Sequence, residues 1–316
     1  MWVLQIGLIG KANVGKSTFF SAATETIVVS GNFPFTTIEP NIGMAFVQSD
    51  CACKHFDLKH ENPLCLNGTR LIPVKLIDVA GLVPGAHEGK GLGNQFLDDA
   101  RQAEILIHVV DIAGTTDIQG QPIPLGTHDP LEDVAFVQDE FDQWFIDILK
   151  REWDKVTREV DQKRAKLTDG IAKRFSGLGI KEHEVQSVLQ KQGLVAKNPK
   201  EWTDSDIENF VKELRQNTKP MIIAANKADL CKDLDILKKI SGVVIPCSAE
   251  TELLLRKATK AGIINYTSGD DGFKINEEKE LPAPQQKALD LVKTIFSKIS
   301  STGIQKILNT AVFDSL

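Results

Sequence analysis

Apolar runs and amphipathic stretches alternate along the chain. Short β-branched runs recur at Val3 to Ile9, Ile72 to Val79, Ile105 to Asp111, Met221 to Asn226 and Val243 to Cys247, each followed by Gly, Asn, Asp or Ser. Such runs, closed by turn chemistry, predict strands buried on both faces, as in a parallel sheet covered by helices. The segments between them are helical in pattern or long enough to cross over. The fold reading is therefore α/β: a doubly wound, mostly parallel sheet of right-handed βαβ units, with ligands bound beyond the carboxyl ends of its strands.

One stretch breaks the rhythm. From Leu131 to about Phe175, apolar residues fall at Val134, Val137, Phe141, Trp144, Ile148, Val156, Val160, Leu167 and Ile171, a three-four spacing that predicts one long amphipathic helix closed by Gly177 and Gly179. Two shorter helices are expected around Glu182 to Leu194 and Asp204 to Gln216, the second introduced by the cap-like Thr203-Asp204-Ser205-Asp206. Together they predict an α-helical hairpin, residues 131–217, inserted between two strands of a sheet domain formed by 1–130 and 218–316. Gln285 to Ile299 and Ile304 to Phe313 return to helix and are expected to pack back on the sheet.

The first strand opens into Gly10 to Ser17 (GKANVGKS), a full G-x-x-x-x-G-K-[ST] match followed by the helical pattern of Phe19 to Ala22. Glycines let backbone N–H groups point at phosphate oxygens, and the helix start adds the positive end of its dipole. Asn13, Val14, Gly15, Lys16, Ser17 and Thr18 are thus the candidate phosphate contacts, with Lys16 neutralising charge and the Ser17 hydroxyl facing Mg2+. This loop by itself does not separate GTP from ATP.

The base is read elsewhere. Asn226, Lys227 and Asp229 form an N-K-x-D tetrad at a strand end, where Asp229 can accept from guanine N1 and the exocyclic amine. Adenine offers no matching donors, so the carboxylate would be left poorly satisfied and the wrong base penalised. Ser248 and Ala249, after the last strand, fall where a backbone N–H can meet guanine O6. Asp78 to Gly81 supplies a D-x-x-G element, with Asp78 toward Mg2+ and the Gly81 N–H toward the γ-phosphate. The loop beyond it carries Gly85, Gly89, Gly91 and Gly93, a density suited to a segment ordered by that phosphate. Thr36 and Thr37, in the Pro-bracketed segment 32–41, are candidates for a further Mg2+ ligand. The sheet domain is accordingly a G domain in two parts.

Charge and cysteine content refine this picture. The net charge of -6 argues against a chain that coats nucleic acid with its whole surface, but Lys150 to Lys200 holds 13 Lys/Arg against 7 Asp/Glu. No apolar run reaches the length of a membrane span and the start resembles no signal peptide, so a cytoplasmic address and no membrane contact are expected. Cys51, Cys53 and Cys65, with His55 and His60 between, could hold Zn2+, form a disulfide or stay as reduced thiols.

The runs Gly10 to Ser17, Phe33 to Pro40 (FPFTTIEP), Asp78 to Ala86 (DVAGLVPGA) and Gly91 to Leu97 (GLGNQFL) closely resemble the YchF branch of the Obg family of translation-factor-related GTPases, nearly end to end. The resemblance implies a G domain interrupted by a helical hairpin and followed by a β-rich TGS domain, which this chain, ending at Leu316, is expected to lack. It favours Thr37 over Thr36 as Mg2+ ligand. With Asn226, Lys227 and Asp229 kept, the sequence is similar to the GTP-using archaeal type rather than the ATP-using relatives.

Where many GTPases place a water-orienting Gln after D-x-x-G, this chain has Leu82, which cannot polarise water, so slow intrinsic turnover is expected. By resemblance a catalytic group arrives from elsewhere, with a His in the loop after the Ile105 to Asp111 strand implied, here His128; His87, in the loop after D-x-x-G, is the preferred candidate with Gly81, and a solvated structural His is the alternative to both. Asn13 resembles the asparagine that helps bind K+ in cation-activated GTPases. The resemblance also makes the helical insert a candidate contact for the ribosome or its RNA. The functional expectation is a slow GTPase that alternates between GTP and GDP states as a switch. The alternatives are a nucleotide-gated binding module and an ATP-using stress factor.

Overall fold

The computed structural model of the 316-residue chain describes residues 3–24, 41–59, 62–66, 68–82, 85, 99–277 and 281–315. Its main sheet is built from β1 (Gln5–Ile9), β2 (Asn41–Asp50), β3 (Cys65–Leu66), β4 (Thr69–Asp78), β5 (Ile105–Asp111), β6 (Met221–Asn226) and β7 (Val244–Pro246). The order is β2-β4-β1-β5-β6-β7, with β3 on β4. β4, β1, β5, β6 and β7 run parallel, whereas β2 pairs antiparallel with β4, from Asn41 opposite Asp78 to Asp50 opposite Thr69. A small hairpin, β8 (Ile264–Asn265) with β9 (Lys274–Ile275), lies apart.

Alternate strand residues feed opposite faces, as the pleat requires. Ile6, Leu8, Ile105, Ile107 and Val109 meet Phe19 and Phe20 of α1 (Lys16–Thr24) and the C-terminal Ile304, Ile307, Leu308 and Ala311. Ile9, Ile77 and Leu106 meet Val137 and Phe141 of the helix Pro130–Lys150 on the other face. Parallel strands sandwiched this way are the arrangement the apolar runs predicted. Of the two C-terminal helices, Ile304–Phe313 packs on the sheet, whereas Ala283–Ile299 packs mainly beside Leu255 and Ile264 and reaches the sheet through Ile299.

The single helix expected from Leu131 to Phe175 is three. After α2 (Ala52–Phe56) come α3 (Pro130–Lys150), α4 (Trp153–Asp161) and α5 (Leu167–Arg174). The first break falls at Arg151 and Glu152, where Glu152 leaves helical geometry at φ -121° and ψ 12°. The second follows from composition: 162–166 is polar but for Ala165, so continuing the helix would bury almost nothing, and Lys163 turns the chain with a left-handed φ of 56°. Both gaps leave the apolar spacing nearly in phase, so periodicity alone reads through them.

α6 (Glu182–Lys191) and α7 (Asp204–Thr218) complete the insert, which is a bundle rather than a simple hairpin. Its core joins Phe145, Phe175, Trp202 and Phe210 with Leu149, Ile171, Val185 and Leu214. Phe145 and Phe175 stack at 5.5 Å. α3 belongs to both cores, since its first half lies on the sheet and its second half in the bundle. α8 (Ala249–Lys260), α9 (Ala283–Ile299) and α10 (Ile304–Phe313) close the chain. Among the described residues no helix is long and apolar enough to cross a membrane.

Candidate nucleotide site

The carboxyl ends of β1, β4, β5, β6 and β7 meet on one edge of the sheet. β1 runs into Gly10 and α1 begins at Lys16, so the loop between them joins strand end to helix start. Space and backbone conformation both demand glycine here. A Cβ on Gly10 (φ 141°) would lie 2.4 Å from Val109 O, and one on Gly15 (φ 97°) 2.4 Å from Asn226 Nδ2. The loop is thus moulded on β5 and β6. Lys16 Nζ folds over it, donating to Gly10 O at 3.0 Å and Lys11 O at 2.7 Å. Burial lowers the Lys16 pKa to about 8, with the charge of Asp78 acting in the opposite direction. His108, in mid-β5 behind the loop, is pushed down to about 3 by burial and then by Lys16, so it is neutral. Val14 is buried and Thr18 half-buried in the first turn of α1.

Ser17 Oγ donates to Asp78 Oδ2 at 2.8 Å. Asp78 is fully buried; desolvation raises its pKa, while Lys16 and Ser17 pull it down. Its Oδ1 is buried with no hydrogen-bond partner among the described residues. A buried carboxylate beside a hydroxyl suits a hard divalent cation that takes oxygen ligands, so this corner fits Mg2+. Gly81 packs within 3.2 Å of the Ala12 backbone, measured from where its Cβ would be, and Leu82 N–H donates to Gly10 O at 3.0 Å. The Leu82 side chain is buried with Ile9 and Ile77, turned into the core. Thr36, Thr37, His87 and the glycines 89, 91 and 93 lie outside the described residues.

At the other end, Asn226 is buried and bridges two loops: its Nδ2 donates to Val14 O at 2.9 Å and its Oδ1 accepts from Ala249 N at 3.0 Å. Guanine O6 would therefore have to share the Ala249 N–H. Lys227, in a left-handed conformation at φ 61°, reaches Asn13 O at 3.1 Å, Asp111 Oδ2 at 2.9 Å and Thr115 Oγ1 at 2.9 Å. Asp229 is half-buried on the turn Ala228–Leu230, and its carboxylate has no hydrogen-bond or ion-pair partner among the described residues. Ser248 Oγ caps α8 by accepting from Thr251 N at 3.3 Å, so its hydroxyl serves the helix. The structure thus brings 10–18, Asp78, Gly81, 226–229 and 248–249 together from four strand ends.

Several members of this arrangement escaped the sequence reading. Asp111, fully buried, accepts from Lys227 and from Thr115 and Thr116 hydroxyls, holding the turn at 226–229 against β5. An acidic residue ending an otherwise apolar strand was the available signal. Lys11 Nζ, fully buried, pairs with Asp133 Oδ2 at 2.7 Å and donates to Thr116 O at 2.9 Å. His128 Nε2 lies 2.7 Å from Asp133 Oδ1, which places this alternative catalytic candidate in a tie to α3. Asn13 Nδ2 donates to Gly120 O at 2.8 Å, and its Oδ1 has no partner among the described residues.

Comparison with known proteins decides the family. A family described as 50S ribosome-binding GTPase matches residues 5–141, and one described as Obg-like GTPase YGR210-like, G4 motif-containing domain matches 224–316. A GTP-binding protein of Methanocaldococcus jannaschii is 46% identical over 98% of this chain and 79% of its own length. The ribosome-binding ATPase YchF of Bacillus subtilis is 31% identical over 72% of this chain and 57% of its own. This chain belongs to the YchF/Obg-like family of GTP-binding proteins. The crystal structure of a GTP-binding protein from Pyrococcus horikoshii OT3 superposes with a TM-score of 0.75 at 37% identity, covering 99% of this chain and 79% of that one. Membership makes this Obg-like chain a P-loop GTPase.

Proposed function

We propose that this Obg-like chain is a slow GTP hydrolase that works as a nucleotide-dependent switch, read by a ribosomal particle through the basic surface of its helical insert. The observation that carries the choice of nucleotide is Asp229: a half-buried carboxylate without a hydrogen-bond or ion-pair partner among the described residues, on the turn that follows Asn226 and Lys227. Paired donors on a guanine edge would satisfy it. Phosphate contacts fall to the backbone of Asn13, Val14 and Gly15, to Lys16 and to Thr18, with the Gly81 N–H facing the γ-phosphate. Ser17, Asp78 and Thr37 would hold Mg2+, which supplies charge neutralisation between the β- and γ-phosphates.

Leu82 turned into the core supports slow turnover, because the position that elsewhere orients water carries no polar group. His87 remains the side chain proposed to supply the missing group, and Asn13 Oδ1 an oxygen for K+. Competition of GTP against ATP for the nucleotide-free protein tests the central assignment: GTP is expected to win by at least tenfold, and equal binding would overturn it. Turnover in K+ exceeding that in Na+ is expected if Asn13 serves the cation; equal rates remove that role.

The contact proposed for the insert rests on which cations are unpaired. Lys150, Arg174, Lys191, Lys197 and Lys200 are ion-paired within the bundle. Arg158, Lys163, Arg164 and Lys166 are exposed at the α4–α5 turn, with no ion pair among the described residues, and form a compact cationic patch suited to phosphate backbones. A second reading, a binding module gated by nucleotide whose hydrolysis is incidental, draws on the same buried Leu82. Single-turnover rates with and without ribosomes separate the two: acceleration supports the hydrolytic switch, and unchanged rates with nucleotide-dependent binding support the module. The ATP use named for the Bacillus relative is disfavoured here by Asp229.

A further inference from the structure

The far end of the β2–β4 hairpin holds a group of side chains that nucleotide binding does not use. Cys51 ends β2 as the N-cap of α2, Cys53 lies within that single-turn helix, and Cys65 returns on β3 opposite Arg70. From Arg70 to Asp78 is eight residue steps along β4, which at about 3.3 Å per residue puts this cluster roughly 26 Å from the Mg2+ corner.

The three Sγ atoms lie within 4.8 Å of one another, and those of Cys53 and Cys65 are 3.6 Å apart. None is in a disulfide. With Zn–S bonds of about 2.3 Å, a tetrahedral site sets neighbouring sulfurs about 3.8 Å apart. The Cys53–Cys65 separation matches that edge, and the third sulfur lies within 4.8 Å of both. Among the described residues no fourth ligand joins them.

A second observation concerns what holds this tip together. α2 buries no residue, and Phe56, Leu58 and Leu66 are all more than half exposed. The segment still makes tight turns: Cys51 N–H donates to Gly68 O at 2.8 Å, Leu58 N–H to Cys53 O at 2.9 Å and Cys65 N–H to Asn62 O at 3.0 Å. A one-turn helix is marginal by itself, and without apolar burial something else must fix it. A metal held by its cysteines does this in small modules that lack a core.

We propose that Cys51, Cys53 and Cys65 bind one structural Zn2+ that closes the tip of the β2–β4 hairpin. Each thiol releases its proton to solvent as it ligates, so the three side chains bind as thiolates.

The full chain, purified with zinc and then freed of loose metal by gel filtration, is expected to retain one zinc per chain. Reconstitution with Co2+ is expected to give the thiolate-to-cobalt charge-transfer band and the strong visible bands of a tetrahedral site. Cys53→Ser and Cys65→Ser should each lose most of that absorption, while Cys231→Ser keeps it. Nucleotide binding measured on the same samples reports whether each variant is folded. Alkylation of the wild-type chain gives a measure independent of variants: zinc should shield Cys51, Cys53 and Cys65, and a chelator should expose them. Substoichiometric metal in the wild type, a disulfide among the three in the protein as isolated, or thiols that react equally with and without zinc would each overturn the assignment.

Discussion

At the scale of single residues, the proposed nucleotide site turns on two charges. Asp229 presents a half-buried carboxylate at the base end. Replacing it with Asn keeps the size and removes the charge, and a hydrogen bond to a charged group contributes about 1.5–3 kcal/mol. GTP affinity of Asp229→Asn should fall about 10-fold to about 150-fold by calorimetry. Xanthosine triphosphate should bind the variant better than GTP, because the new amide can donate to the 2-oxo group of xanthine; unchanged GTP affinity would remove Asp229 from base recognition. Lys16 is the second charge. Its folded pKa of about 8 lies below the unfolded 10.5, so the unfolded chain holds more protons between these values. The stability of the nucleotide-free protein should therefore gain from this group as pH rises from 8 to 10.5, and the gain is absent below 8. A triphosphate keeps the ammonium charged, so nucleotide binding near pH 8 should take up roughly half a proton. Calorimetry in buffers of different ionisation heat measures this, and zero uptake would contradict the shifted Lys16.

At the scale of elements, Thr203 shows how local chemistry sets a boundary. Its Oγ1 accepts from Asp206 N at 3.2 Å, and Asp206 answers by accepting from Thr203 N at 2.6 Å, so both first-turn donors are satisfied. Thr203→Ala should lower stability by about 1 kcal/mol in urea unfolding, with nucleotide affinity unchanged. That cap was legible in sequence, as were the mostly apolar strands Ile105–Asp111 and Met221–Asn226, because each signal lies within a few residues. β2 was not legible. Its inward residues are the small Gly43, Ala45 and Val47, while the larger Ile42, Met44 and Phe46 face outward, which hides the usual alternation. In the site, the phosphate loop and the N-K-x-D turn are contiguous motifs and could be read directly. The pairings of Asp111 with Lys227 and of Lys11 with Asp133 join residues over a hundred positions apart, and only the fold brings them together.

At the scale of the whole molecule, charge is unevenly shared. The chain carries a net -6, yet 150–200 has six more basic than acidic residues. Part of that excess is ion-paired on the insert, and Arg158, Lys163, Arg164 and Lys166 belong to the exposed share without an ion pair among the described residues. Changing Arg158, Lys163, Arg164 and Lys166 together to Gln should weaken ribosome or RNA binding and flatten its dependence on salt, with GTP affinity unaltered. Sedimentation with ribosomes over a salt series measures both. Equal binding by the variant would place the contact elsewhere.

Asp133 sits in the first turn of α3, the helix whose far half is built into the bundle, and it grips Lys11 inside the phosphate loop. Parting a buried pair strands a bare charge, at about 3–5 kcal/mol, so neither partner drifts off alone. The cradle and the foot of the bundle consequently share one foundation. The ion pair therefore joins the loop at Gly10 to Ser17 directly to the helix that leads into the insert.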